Sequence, residues 1–200
     1  MRAALACVLL LAHAPARAQC GAAETPSVGV TLRRCETPGR RWVEVRADLA
    51  AADVGVRASR PEERGRTADA WSAAIEGAVV TLGGGPFSFP DFEPWGLTVG
   101  DGEPWSTTRD SPALALVAFD ASAAALFAPA EQVVPYEPWM HDVVSGIEVL
   151  RDGAPRACAA DGCEPAPRTG LGLSADGRIL VAIAVEGWSA EHAGVSDDEL

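Results

Sequence analysis

Apolar positions along this chain alternate with polar ones over short runs, and glycine, proline and aspartate punctuate the runs, the pattern of strands joined by tight turns. Trp42, Val43 and Val45 open a predicted strand over Arg41 to Asp48, and Val54, Val56 and Ala58 alternate inward along a second that stops at Pro61. Thr67 is placed to cap a short helix with Ala70, Trp71, Ala74 and Ile75 on one face. Ala78 to Leu82 then reads as an apolar strand running into Gly83-Gly84-Gly85-Pro86.

Trp95 to Val99 with the turn Gly100-Asp101-Gly102, then Ala113 to Asp120, then Ala124 to Phe127 read as a meander, and Pro129 to Pro138 as irregular chain. Ile147 to Arg151 with Asp152-Gly153 resumes the strand-and-turn pattern. Thr169 to Ser174 and Arg178 to Val185 flank Asp176-Gly177, a hairpin signal because both turn positions tolerate positive φ. Ser196-Asp197-Asp198-Glu199 fits a capping box, with Ser196 accepting from the Glu199 amide and the Glu199 carboxylate reaching back to the Ser196 amide. A helix of one turn does not support itself, so this end reads as truncated or as a frayed tail. If it is truncated, the strand Ile179 to Val185 is left as an uncovered template for edge pairing. The expected fold is α+β, a strand-rich single domain with a mixed twisted sheet and few helices.

The first residues follow a different pattern. Arg2 gives a positive start, Ala3 to Ala12 is uncharged and apolar, and Ala16-Arg17-Ala18 supplies the small residues of a signal-peptidase site, so residues 1–18 read as a signal peptide and Gln19 as the first residue of the exported domain, 19–200. The apolar run is too short for a permanent membrane helix, and Gln19 is large and polar where a lipid-attachment motif at Cys20 needs a small residue. The net charge of -12 becomes -14 once Arg2 and Arg17 leave with the signal, which argues against nucleic acid as a partner. Cys7 leaves too, so Cys20, Cys35, Cys158 and Cys163 remain, an even number for an oxidising compartment. Three pairings are open, and the short loop between Cys158 and Cys163 favours that pair, leaving Cys20 with Cys35. A four-thiolate zinc site is the weaker alternative because no C-x-x-C pair is present, and no metal or cofactor is expected.

Gly170-Leu171-Gly172-Leu173-Ser174-Ala175 matches a dinucleotide fingerprint formally, but a hairpin turn stands where that motif requires a helix. Gly83-Gly84-Gly85 can bring backbone amides close to an anion, or be a plain loop. His141 and His192 form no metal or triad spacing. Among the carboxylates Glu186 stands out, because it ends the most apolar strand, where partial desolvation would open its pKa to shifting; a solvated strand end is the bland alternative.

An ordered series gives the clearest indication. Ala78 to Phe87 with its glycine run, Gly96-Leu97-Thr98-Val99-Gly100-Asp101-Gly102, Pro167-Arg168-Thr169-Gly170-Leu171-Gly172-Leu173, Val185-Glu186-Gly187, and Gly194 to Leu200 together resemble the phosphodiester glycosidase family, over roughly residues 40 to 200. The resemblance implies hydrolysis of a sugar joined through its anomeric carbon to a phosphodiester, with a glycosyl phosphodiester or sugar phosphate as the ligand. Such a site needs donors for the phosphate and a carboxylate near the anomeric carbon. The resemblance assigns those catalytic roles to Arg168 and Glu186, with Gly83, Gly84, Gly85, Thr169 and Gly187 as ligand-binding positions. Arg168 as a structural partner of an acidic neighbour stays open. The family usually carries Asn-Gly-Gly where Gly83-Gly84-Gly85 stands, and Asp-Gly where Glu186-Gly187 stands. It continues past the Ser196 helix to a signature Asp-Gly-Gly-Gly-Ser that this sequence does not reach. Activity is therefore expected to be weakened or lost, and a non-catalytic secreted domain that binds sugar phosphate or is purely structural is the alternative.

Overall fold

In the computed structural model, which describes residues 18–105, 108–158 and 163–200, short apolar runs give short strands. The order is β1 (Gln19–Cys20), β2 (Glu24–Ser27), β3 (Val30–Thr37), β4 (Arg40–Asp48), α1 (Ala68–Ala74), β5 (Val99–Gly100), β6 (Glu103–Pro104), β7 (Ala115–Phe119) and β8 (Ala125–Ala128). Then follow β9 (Asp142–Gly146), β10 (Leu150–Arg151), β11 (Ala154–Pro155), β12 (Arg168–Leu173) and β13 (Ile179–Val185). One sheet has six strands in the order β1-β3-β4-β13-β12, with β2 also on β3; a second has five in the order β6-β5-β9-β7-β8. Every pairing among the described residues is antiparallel, so the expected mixed sheet is corrected to antiparallel sheets with a single α-helix, a mostly β molecule.

Register decides which face is buried. Leu32, Val45, Ala182 and Leu171 pair in a row across β3, β4, β13 and β12, and side chains one residue along each strand point the other way. This apolar row packs with Val30, Val43, Ala47, Val80 and Leu82. β7 is apolar throughout because both its faces are covered: Leu116 and Ala118 meet Leu97, Met140 and Val143, while Val117 and Phe119 meet Leu49, Leu173 and Leu180 of the first sheet. Phe119 and Leu116 are each about 1% exposed, and burying side chains of that size is worth about 2–3 kcal/mol apiece.

Several expected elements change. Residues 54–60 and 78–82 belong to no strand; Val54, Val56, Val80 and Leu82 still enter the core. Strand β9 enters between β5 and β7, so the expected meander is interrupted. Thr67 caps α1 by accepting from the Ala70 amide at 3.3 Å, but Ala70 and Ala74 are exposed and only Trp71 and Ile75 are half-buried. The hairpin between β12 and β13 forms, with positive φ at Gly177 and not at Asp176, because the loop is longer than a two-residue turn. Strand β13 is flanked by β4 and β12, so it is not an open edge; β12 is the edge.

The chain's last residues are packed. Val195 bridges Ala166, Ser196 and Asp197 are buried, and Leu200 lies over Gly170. Half of the capping box is present, with the Ser196 amide donating to Glu199 at 3.1 Å, while the Ser196 hydroxyl donates to Asp198 and Glu199 instead of accepting from the Glu199 amide. Both disulfides pair as expected, Cys20 with Cys35 and Cys158 with Cys163; residues 159–162 between the second pair lie outside the described residues. Cys20 and Cys35 are directly opposite on β1 and β3. No helix among the described residues is long and apolar enough to cross a membrane.

Candidate functional site

The β12–β13 hairpin carries the sequence-predicted residues at its open end, and strand alternation sorts them onto two faces. Thr169 pairs with Ala184 on the core-facing side, while Arg168 pairs with Val185 on the opposite side. Glu186 continues β13 by donating its amide to the Arg41 carbonyl at 2.9 Å, so it shares the side of Ala184 and Thr169. The two expected catalytic residues therefore lie on opposite faces of the sheet.

Arg168 is engaged by its own chain. Its Nε lies 3.0 Å from Asp197 Oδ1, and its guanidinium donates to the Glu164 carbonyl at 3.1 Å. Asp197 is 6% exposed and its Oδ2 is buried without a hydrogen-bond partner among the described residues. The pair clamps the last residues of the chain onto β12. Glu186 is about half exposed, because the strand ends at the surface. Its carboxylate lies 3.5 Å from the Arg41 guanidinium, which is itself 3.9 Å from Glu36.

The glycine run divides by space. A Cβ at Gly83 would come 3.7 Å from Thr169 Oγ1, and one at Gly84 would come 4.0 Å from Val144, both ordinary contacts. At Gly85 it would fall 1.8 Å from the Ser145 carbonyl oxygen, which no side chain can do. Gly85 is thus required by close approach to β9, whereas Gly83 and Gly84 are exposed with room to spare. Gly187 resembles Gly85: a Cβ there would meet the Pro167 nitrogen at 2.5 Å. Gly83, Thr169, Glu186 and Arg41 form the accessible side of the hairpin end, with one hydroxyl, one carboxylate and one cation. A concavity of about 290 Å³, lined by Thr25, Thr31, Arg46, Asp48 and Ile179, is at the other end of the sheet.

Sequence reasoning missed Arg41, because its proximity to Glu186 depends on β4 pairing with β13 across more than a hundred residues. It missed Asp197 because the bridge between Ala166 and Val195 that brings it to Arg168 leaves no local pattern. It also missed a carboxylate–imidazole pair: His141 Nδ1 lies 2.8 Å from Asp142 Oδ2, and the other Asp142 oxygen accepts from the Ala58 and Asp101 amides. Those adjacent residues carried the signal, but Asp142 is saturated by backbone donors and ties three segments together, a structural assignment.

A sequence profile of phosphodiester glycosidases matches residues 74–200. The chain belongs to the phosphodiester glycosidase family. The match begins later than the expected residue 40, and covers the glycine run, the β12–β13 hairpin and the buried chain end. No curated protein sequence matches. Among solved structures, the chain is similar to the zebrafish N-acetylglucosamine-1-phosphodiester alpha-N-acetylglucosaminidase catalytic domain auto-inhibited by its pro-peptide, at 15% identity and a TM-score of 0.57, over 94% of this chain and 66% of that one. At that identity the likeness is one of fold. The chain thus spans slightly less than two thirds of the zebrafish domain's length.

Proposed function

We propose that this is an exported phosphodiester glycosidase-like protein that takes a glycosyl phosphodiester at the open end of the β12–β13 hairpin, with turnover weakened in this chain. The family match over residues 74–200 carries the reading. Export rests on the residues 1–18 pattern, and the two disulfides fit it. In this reading Gly83 and Gly84 admit the phosphate against their backbone, Thr169 donates to it, and Arg41 supplies the positive charge. Glu186 is the carboxylate for the anomeric carbon, where positive charge develops as the glycosidic bond breaks. Arg168 positions the site by holding Asp197, and Gly85 and Gly187 hold the backbone close to its neighbours. Weak turnover follows from the missing side chain at Gly83 and from Glu186 standing where the family usually carries Asp, which moves the carboxylate out by one methylene.

Calorimetric titration with the methyl diester of N-acetylglucosamine 1-phosphate tests the reading. The unmodified protein is expected to bind it, and Arg41→Ala to weaken binding about tenfold, the scale of a charge-assisted hydrogen bond. Binding that is equal in Arg41→Ala and lost in Arg168→Ala would move the anion site to the other face.

A further inference from the structure

On the first sheet, Thr31 and Arg33 of β3 lie directly opposite Arg46 and Glu44 of β4, on the face turned away from the apolar row of Leu32 and Val45. Carboxylates outnumber arginines in this chain, and most described arginines lie within ion-pair distance of one. Arg33 and Arg46, with Arg109 far along the chain, are the exceptions. Among the described residues neither the Arg33 nor the Arg46 guanidinium has a hydrogen bond or an ion pair, although Glu44 is the register partner of Arg33. The Thr25 and Thr31 hydroxyls are equally uncommitted among the described residues. These groups surround two adjoining concavities. One of about 100 Å³ is lined by Thr31, Arg33, Glu44 and Arg46; the concavity of about 290 Å³ shares Thr31 and Arg46 with it and adds Thr25, at the bulge in β2 between Glu24 and Ser27. Asp48 also lines the larger one, but its carboxylate is taken by Arg178 at 2.9 and 3.0 Å and by the Ala50 amide at 3.1 Å.

We infer that this groove is a binding site for a small phosphate monoester, with the phosphate in the smaller concavity against Arg33 and Arg46 and the ester group in the larger one. Two guanidinium forks and the Thr31 hydroxyl supply donors for the three terminal oxygens of a phosphomonoester, and the two cations match the charge it carries near neutral pH. Glu44 subtracts one charge from the lining without occupying either guanidinium. The remaining attraction scales with the ligand's charge, so a dianion is held in preference to a singly charged diester. The larger concavity is at the lower end of the range for ligand sites, about 300 Å³, which suits one sugar-sized group. This site is separate from the hairpin end. Ile179, on the lining, and Val185 are the two ends of β13, about 20 Å apart at the rise of a strand, and Glu186 belongs to the other face.

Amide NMR titration with glucose 6-phosphate at pH 7.5 tests the site, with dimethyl phosphate as the singly charged comparator. Shifts are expected at residues 25–33 and 44–48, with dimethyl phosphate binding there at least about tenfold more weakly. Arg33→Gln and Arg46→Gln should each weaken glucose 6-phosphate about tenfold, the scale of a charge-assisted hydrogen bond, and Glu44→Gln should tighten it. Both arginines are exposed, so these variants keep the fold, and an unchanged melting temperature checks this. Arg41→Ala should leave the shifts as they are, because Arg41 belongs to the hairpin end. Glucose 6-phosphate that shifts no amide in these two segments overturns the site. So do shifts that survive both arginine substitutions, and so does dimethyl phosphate binding as tightly as the monoester. Loss of the shifts in Arg41→Ala alone would place the phosphate at the hairpin end instead and overturn the second site while leaving the first standing.

Discussion

Gly83 and Gly85 are two residues apart in the same run and respond oppositely to a side chain. Gly85→Ala drives a methyl group into the Ser145 carbonyl and is expected to cost about 3 kcal/mol, the upper range for overpacking, whereas Gly83→Asn is expected to change stability by less than about 1 kcal/mol. Chemical denaturation of the two variants measures both. Trp188 is 81% exposed with φ 59°, a left-handed conformation that a bulky residue adopts at a cost. Trp188→Gly should therefore stabilise the protein by about 1 kcal/mol, read as a higher melting temperature. Glu63 reports on pH. Burial pushes its carboxyl up, but donation from the Arg60 amide and the Trp71 indole, with the Arg57 guanidinium beside it, outweighs burial and holds it below the ordinary 4.5. A depressed folded value means the unfolded chain takes up the proton first, so this contribution is complete above about pH 4.5 and is lost as the pH falls through the folded value. Acid titration of stability should be shallower in Glu63→Gln; an identical slope would remove Glu63 from the account.

At the scale of elements, the chain end and β12 hold one another. The Ser196 amide, and then the Arg40 guanidinium, keep Glu199 below its usual value, while Asp197 meets Arg168 with little solvent around it. Removing one partner of such a pair strands the other, and because Arg168 keeps about a quarter of its exposure, Asp197→Ala is expected to cost about 2–3 kcal/mol, below the fully buried range. Hydrogen exchange should show protection lost over 194–200 and along β12 while β3 and β4 stay protected. What was legible here was local. The β12–β13 hairpin, the Thr67 cap and the strand around Trp42 follow from alternation and turn residues within a few positions. Residues 54–60 alternate and residues 78–82 run apolar as strands do, yet neither lies in a sheet, because apolar patterning reports burial and says nothing of ladder bonds. Strand β9 was missed because Asp142 and Ser145, both buried, interrupt its apolar run; each is satisfied by backbone from another segment, which no local pattern reveals.

For the molecule as a whole, the family and its strand-rich character were readable from an ordered series of short motifs, and the site only in part. The glycine run and the Glu186-Gly187 step were visible in the chain. That Arg168 and Glu186 lie on opposite faces follows from the β12–β13 register, that Arg41 lies beside Glu186 from the pairing of β4 with β13, and that only Gly85 of the run is sterically required from its close approach to β9. In the proposed function the hairpin end is a glycosyl phosphodiester site whose chemistry is impaired at Gly83 and Glu186. Hydrolysis of UDP-N-acetylglucosamine, whose anomeric carbon is joined to a substituted diphosphate, tests it most directly. Restoring a side-chain donor to a developing charge is worth about 3 kcal/mol, a hundredfold or so in rate, when it is well placed. The account predicts near-background turnover by the unmodified protein and a measurable rise in Gly83→Asn with Glu186→Asp; robust turnover by the unmodified protein that persists in Glu186→Gln would contradict it.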